Sequence, residues 1–356
     1  MTVHTFGLTT GRINKFKGQI LKHAAPMECL AKQGRQVSFP QNNSDTYVAR
    51  RFLPWNATST NANTINRYFA DGTGDRGAAI VQAHAVQEGV TASPDSITPQ
   101  DVQVVMNQYS CLYGFTDKTF VLYEDDIPGE MVTQVGERVA LVNEMIMWGV
   151  LRSCTNQYFG GTGTTTATVN GRLTLDLVRK VTKNLAANHG KMVTKQLASS
   201  ANYGTSAVSA GYFVYGHTDL EPEVRELPNF VPVEKYADPS KAVAGEVGTC
   251  ERFRFVLSPD LPSTQDGGAA IGSTGLYSTS GSNIDVYTLI VTAADAWSQV
   301  AVRGKESVDP TYLPPGQKSK SDPHGQRGYA GAIWWKAAMV ENHGWMATIQ
   351  VGVKSL

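Results

Sequence analysis

Charge is scarce in this chain. Asp, Glu, Lys and Arg make up 17% of its 356 residues, against roughly 25% in an ordinary soluble domain. The 31 basic and 31 acidic residues cancel. That balance excludes the basic excess with which nucleic-acid binders neutralise phosphates, and leaves at most a weak, non-specific contact with DNA. Paired cysteines are absent too. Cys29, Cys111, Cys154 and Cys250 lie far apart, with no C-x-x-C. The spacing supports neither a disulfide framework nor a zinc site, and the four are expected to be buried free thiols. No apolar run approaches the length of a leader core or a membrane span, so a soluble product kept in the cytoplasm until use is expected.

Catalytic signatures are also missing. There is no G-x-x-x-x-G-K-[ST], no H-E-x-x-H and no G-x-S-x-G, and the seven histidines are scattered. Gly72-Thr73-Gly74-Asp75-Arg76-Gly77 fits G-x-G-x-x-G, but an Asn/Thr-rich loop precedes it where a dinucleotide site needs a strand. Glu124-Asp125-Asp126 is explained by the start of a helix, whose N-terminal dipole favours carboxylates. No catalytic, cofactor-binding or metal-binding residue is therefore assigned.

What is present is extended chain, followed by helix, followed by a mixture. Residues 1–34 are basic and only mildly amphipathic, and read as an arm that needs a partner surface. Gly34 to Pro40 and Tyr47 to Pro54 are short β-type runs around a polar turn and predict a hairpin. Residues 56–78 are rich in Asn, Thr and Gly and predict an exposed loop. A further β-type tract covers Gln103 to Tyr123. Val132, Val135, Val139, Val142, Ile146 and Val150 then recur at three- and four-residue steps, with Met131, Met145 and Trp148 widening that face, predicting a helix from about 128 to 154 with Glu137 and Glu144 on its wet side. Roughly 25 residues at 1.5 Å each make it about 38 Å long, a spine rather than a small-domain helix. Leu175, Val178, Val181 and Leu185 predict a second helix, with Thr174 as N-cap and Gly190 as stop. Strands are expected at 212–215, 253–257 and 286–292, and a short helix near 222–227. A closing hairpin is expected from 331–340 and 345–353 around Glu341-Asn342-His343-Gly344. Without regular βαβ alternation the class is α+β.

Several of these runs resemble one family. Leu227-Pro228-Asn229-Phe230-Val231-Pro232-Val233-Glu234-Lys235-Tyr236, then Ala244-Gly245-Glu246-Val247-Gly248, then Phe253-Arg254-Phe255-Val256 are similar to the central part of tailed-bacteriophage major capsid proteins of the coliphage N-four coat type. Asp295-Ala296-Trp297, Asp322-Pro323-His324-Gly325-Gln326-Arg327-Gly328 and Trp335-Lys336-Ala337-Ala338 resemble that family's C-terminal third. The likeness is strongest over about 212–353 and extends to 115–154.

The resemblance implies an α+β, Hong Kong 97-like phage capsid fold. Its parts would be an N-terminal arm (1–34), an extended β-loop (35–110, with an insertion near 56–85), a peripheral domain (111–160 and 324–356) with its spine helix, and an axial domain (161–323). It implies a non-enzymatic shell subunit in the virion, assembled in the host cytoplasm. The partners would be identical subunits in pentamers and hexamers, with portal and decoration or scaffold proteins, and no membrane. A shell subunit must bury at least about 1,000 Å² in each specific contact, and long β extensions achieve this through main-chain hydrogen bonds. Arg35, Arg50 and Arg51 are the expected intersubunit contacts. The competing readings are an encapsulin-like nanocompartment shell and an α+β hydrolase.

Overall fold

The computed structural model describes residues 28–30, 33–42, 44–53, 81–82, 84–91, 94, 96–122, 126–194, 209–236, 242–272 and 274–355. Most of the basic arm, the Gly72–Gly77 run and most of the 56–85 insertion lie outside them. In chain order the early strands are β1 (Arg35–Phe39), β2 (Thr46–Phe52), β3 (Pro99–Val105) and β4 (Asn107–Thr116). Helices α1 (Asp117–Leu122) and α2 (Ile127–Arg152) follow, then β5 (Gln157–Phe159), α3 (Leu175–Ala187), β6 (Tyr212–His217) and α4 (Glu221–Arg225). The remaining strands are β7 (Phe230–Pro232), β8 (Glu246–Cys250), β9 (Phe253–Ser258), β10 (Tyr287–Thr292), β11 (Trp297–Val302), β12 (Asp309–Leu313), β13 (Arg327–Val340) and β14 (Met346–Val351). The class is mixed α+β, with more strand than helix. The chain divides into two compact units, one of 1–45, 105–148 and 299–338, the other of 46–104, 149–298 and 339–356.

The first unit is a sheet with a long helix on it. The sheet runs β1-β11-β13-β12, and β4 also pairs with β13. β4 and β13 are antiparallel over ten residue pairs, from Asn107 opposite Lys336 to Thr116 opposite Arg327. α2 starts where Asp126 accepts a hydrogen bond from the Gly129 amide at 3.1 Å, satisfying one orphan donor of the first turn. Its buried stripe is Met131, Val135 and Val139, continued by Met147, Trp148 and Leu151. The expected stripe is thus partly corrected. Val132 is half exposed, because the face that meets the sheet is rotated toward Met131. Val135 and Val139 pack on Cys111, Ala332 and Trp334. The Trp334 indole donates to Asn143 Oδ1 at 2.9 Å. Trp334→Phe keeps an aromatic ring but removes the donor to that half-buried amide oxygen. It should cost about 1–2 kcal/mol in chemical denaturation.

The second unit is a seven-stranded sheet in the order β5-β14-β10-β6-β9-β8-β7. Every residue of β9, β10 and β14 is buried, as expected for central strands covered on both faces. α3 covers one face. Leu177, Val178, Val181 and Leu185 pack with Val214, Phe253, Phe255, Leu289 and Ile349, which lie on one side of the sheet by the two-residue period. Thr174 caps α3 by accepting from the Leu177 amide, and the Gly190 amide closes onto the Leu185 carbonyl at 2.9 Å.

Two expected hairpins do not form. β1 pairs with β11 and β2 with β3, so the runs around Gln41–Asp45 belong to different sheets. Pro40 offers no amide to continue a ladder, and Asn42 turns the chain through φ 58°. The Phe39 carbonyl is taken by the Arg303 amide at 2.7 Å. At the other end, β13 lies in the five-stranded sheet and β14 pairs with β10 and β5. The intended turn is held instead by Ala296, whose carbonyl accepts from the Glu341 and Asn342 amides.

Candidate assembly surfaces

The β2–β3 ribbon buries no residue in either strand. Phe52 is 66% exposed. Two strands without a hydrophobic face are marginal on their own in water, so the ribbon's side chains decide what holds it. Arg50 binds Asp101 in a two-pronged pair, Nε to Oδ1 at 2.7 Å and a terminal nitrogen to Oδ2 at 2.9 Å. The hydrogen bond from Arg50 holds the Asp101 carboxyl below the usual carboxylate range. The pair is exposed, 61% and 44% by side chain, and water screens such pairs strongly.

Arg51 points to the other side and is half buried. Its Nε donates to Gln100 Oε1 at 2.8 Å and a terminal nitrogen to the Glu341 carbonyl at 3.2 Å. Burial draws its guanidinium down from the usual arginine range. The ribbon is thus stitched by adjacent arginines on opposite faces, each meeting a side chain of β3. Arg35 is not on the ribbon. It is an exposed residue of β1, in the other unit.

Sequence patterning missed the polar centre of the first unit. Glu144, expected on the wet side of α2, is buried, with 1% exposure. One carboxylate oxygen, Oε1, accepts from the Leu30 amide at 2.8 Å, the Cys29 amide at 3.1 Å and the Cys29 thiol at 2.9 Å. Gln299, also buried, donates to the Leu30 carbonyl at 3.4 Å and to the Gln33 carbonyl. The short stretch of chain just before β1 is therefore fixed by two buried polar side chains. Nothing local marks Glu144; its partners are 114 and 115 residues away.

The second unit has its own buried charge pair. Arg254 lies against Glu246 with Nε to Oε1 at 2.7 Å and a terminal nitrogen to Oε2 at 2.6 Å, the side chains 4% and 0% exposed. The Tyr236 hydroxyl donates to Glu246 Oε1 at 2.9 Å. Burial first, and then the Glu246 charge, push the phenol's pKa up. The guanidinium also sits over the Phe213 and Tyr236 rings at 5.6 and 5.7 Å, a cation–π contact with each. Every strong donor and acceptor here is matched, which describes a structural clamp and not a reaction centre.

Among the described residues no three His, Cys, Asp or Glu side chains converge as metal ligands. The four cysteines are free and buried, and no helix among the described residues is long and apolar enough to cross a membrane.

No protein-family model matches the chain. A curated relative is the major capsid protein of Pseudomonas phage KPP21, 22% identical over 258 residues. The match covers 67% of this chain and spans 65% of the relative's own length. Among solved structures, the chain resembles the capsid of Ralstonia phage GP4 with a TM-score of 0.63 at 10% identity, covering 100% of this chain and 99% of that one. It also resembles the capsid of cyanophage P-SCSP1u with a TM-score of 0.56 at 11% identity, over 99% and 97% of the two chains. The fold is that of the phage capsid proteins.

Proposed function

We propose that this chain is a major capsid protein, a non-enzymatic subunit whose copies assemble into the icosahedral head shell around a phage genome. The observation that carries this reading is the end-to-end match to subunits of phage capsids in a chain that also exposes a coreless β ribbon. A ribbon of that kind has little reason to persist in a solitary globule. Covering it with a neighbour supplies main-chain and apolar contacts at once. Closed rings of five or six copies use head-to-tail contacts, one patch on a different patch.

In this reading the ribbon is the extended loop, and residues 1–34 form the arm. The unit built on α2 takes the peripheral place, and the seven-stranded unit takes the axial one. Arg35 and the ribbon arginines are the contacts between subunits. Portal and scaffold or decoration proteins, and weak contact with packaged DNA, complete the partners, and the mature location is the virion. The finer kinship with the coliphage N-four coat rests on the runs at 227–256 and 295–338.

Arg50→Ala separates assembly from folding, because the carboxylate it pairs with is exposed and lies on the same ribbon. Sedimentation velocity of the full chain should show the assembled fraction falling several-fold, with an unchanged unfolding midpoint. Undiminished assembly would remove Arg50 from the interface. A wild-type chain that sediments only as a small fixed oligomer would remove the capsid reading itself.

A further inference from the structure

One end of the first unit carries three chemistries side by side. Helix α1 is six residues long and buries only Thr119. Phe120, Val121 and Leu122 are 49%, 72% and 59% exposed. Three successive large apolar residues on a helix cannot all face its own core, since each step turns the side chain by about 100°. Phe120 lies 6.3 Å from the fully buried Phe115 ring, and Tyr312 stacks on the same ring at 6.2 Å. Tyr312 and Leu313 are themselves more than 40% exposed. The apolar area is therefore continuous from α1 to the edge strand β12.

Beside it stands the loop 314–326, held in shape without a hydrophobic core. The Gly316 amide donates to the Gly325 carbonyl at 2.7 Å, and Ser319 and Asp322 exchange backbone hydrogen bonds at 3.0 and 3.1 Å. Asp322 accepts from the Gly325 and Arg327 amides at 3.1 and 2.9 Å. Gly325 has φ 68°, and a Cβ there would lie 2.9 Å from the Gly316 backbone. The loop is thus preformed, and its one carboxylate is occupied by the backbone. Lys318, Lys320 and His324 are left exposed. Its end is tied to α1, where the Asp117 amide donates to the Gln326 carbonyl at 2.9 Å. Asp117 and the exposed Asp126 bracket the apolar residues of α1.

We infer that this end of the unit is a contact surface between two copies of the chain, α1 and Tyr312 forming its apolar centre and Lys318 and Lys320 of one copy facing Asp117 and Asp126 of the other. The inference rests on the capsid reading and specifies a surface distinct from the β2–β3 ribbon. An apolar centre with a charged rim is the usual anatomy of a protein interface. Both signs are present on the same patch, so it complements itself. Duplex phosphate would favour a basic surface and would be repelled by the two aspartates.

The test uses two full-length variants, Lys318→Glu with Lys320→Glu, and Asp117→Lys with Asp126→Lys. Each alone places like charges across the contact, and assembly by light scattering should fall about tenfold. Mixed in equal amounts, the two should assemble to near the wild-type level, because opposite charges meet again in every mixed pair. Asp117→Asn with Asp126→Asn keeps the side-chain oxygen that caps α2 while removing the charge. It should weaken assembly with an unchanged unfolding midpoint, which excludes a folding defect. Variants that assemble normally while the wild type forms shells would overturn the inference alone. So would normal shells with only a weaker salt dependence of DNA retention, which would assign the loop to phosphate. A mixture that fails like its components overturns it too. A wild type that never self-associates would overturn both this inference and the capsid reading.

Discussion

Glu246→Ala is expected to destabilise the seven-stranded unit by about 3–5 kcal/mol, the usual cost of leaving a buried charge uncompensated. The carboxylate meets Arg254 at 2.6 and 2.7 Å and receives the Tyr236 hydroxyl. Removing it strands a guanidinium that is 4% exposed and leaves the phenol without an acceptor. At roughly 2–4 °C per kcal/mol for a unit of this size, the melting midpoint should fall by on the order of 10 °C. The pair Glu246→Leu with Arg254→Met separates charge from packing. It removes both ions together and should recover most of the loss, since a buried ion pair often does no better than apolar side chains of similar volume. A single variant that loses less than about 1 kcal/mol would mean that water reaches this pair. The clamp joins β8 to β9 next to Gly248, where a Cβ would collide with the Phe230 ring. A larger residue there should disturb the same strands.

The second large effect is expected at Glu144. Glu144→Ala deprives the Cys29 and Leu30 amides of their shared acceptor, inside a site with 1% exposure. Hydrogen bonds to a charged group contribute about 1.5–3 kcal/mol each, and orphaned buried donors cost more than bonds that are never made. A loss of about 3 kcal/mol corresponds to roughly 100-fold faster opening. Hydrogen exchange of these two amides should accelerate by about that factor, while amides in the middle of α2 change less. Unchanged protection at Cys29 and Leu30 would show that Gln299 alone suffices to hold the stretch. In the capsid reading Glu144 ties the arm to the spine helix, so shells built from this variant should also be less uniform in size.

The structure separates what was readable from what was not. α2 was legible because its valines recur at helical steps and its first turn is acidic. The half exposure of Val132 was not, because Met131 and Val132 both belong to the expected apolar face and only the sheet decides between them. α3 was legible down to its Thr174 cap. β9 and β10 were legible as short runs rich in aromatic and β-branched residues, although the burial of Arg254 within β9 was not. The pairing of β1 with β11, and the separation of β13 from β14, were hidden. A turn-like sequence between two β runs reports a change of direction, and says nothing about which distant strand supplies the partner. Arg50 and Arg51 stood out in the sequence only as adjacent charges on an extended segment. Their stitching to Asp101 and Gln100 was not legible, since it needs the strand register. Glu144 stayed hidden for a related reason. A carboxylate on a helix is ordinarily solvated, and its burial here depends on amides more than a hundred residues away.

These features share one physical theme. The two units bury ordinary cores and lock them with matched polar groups, while the ribbon and α1 leave apolar side chains uncovered. In the proposed shell those faces would meet other copies. The most direct measurement is electron microscopy of the full-length chain expressed alone and concentrated. The account predicts closed shells or curved sheets of regularly repeated five- and six-fold rings. A field of single globules or small discrete oligomers, unchanged by concentration and salt, would contradict it.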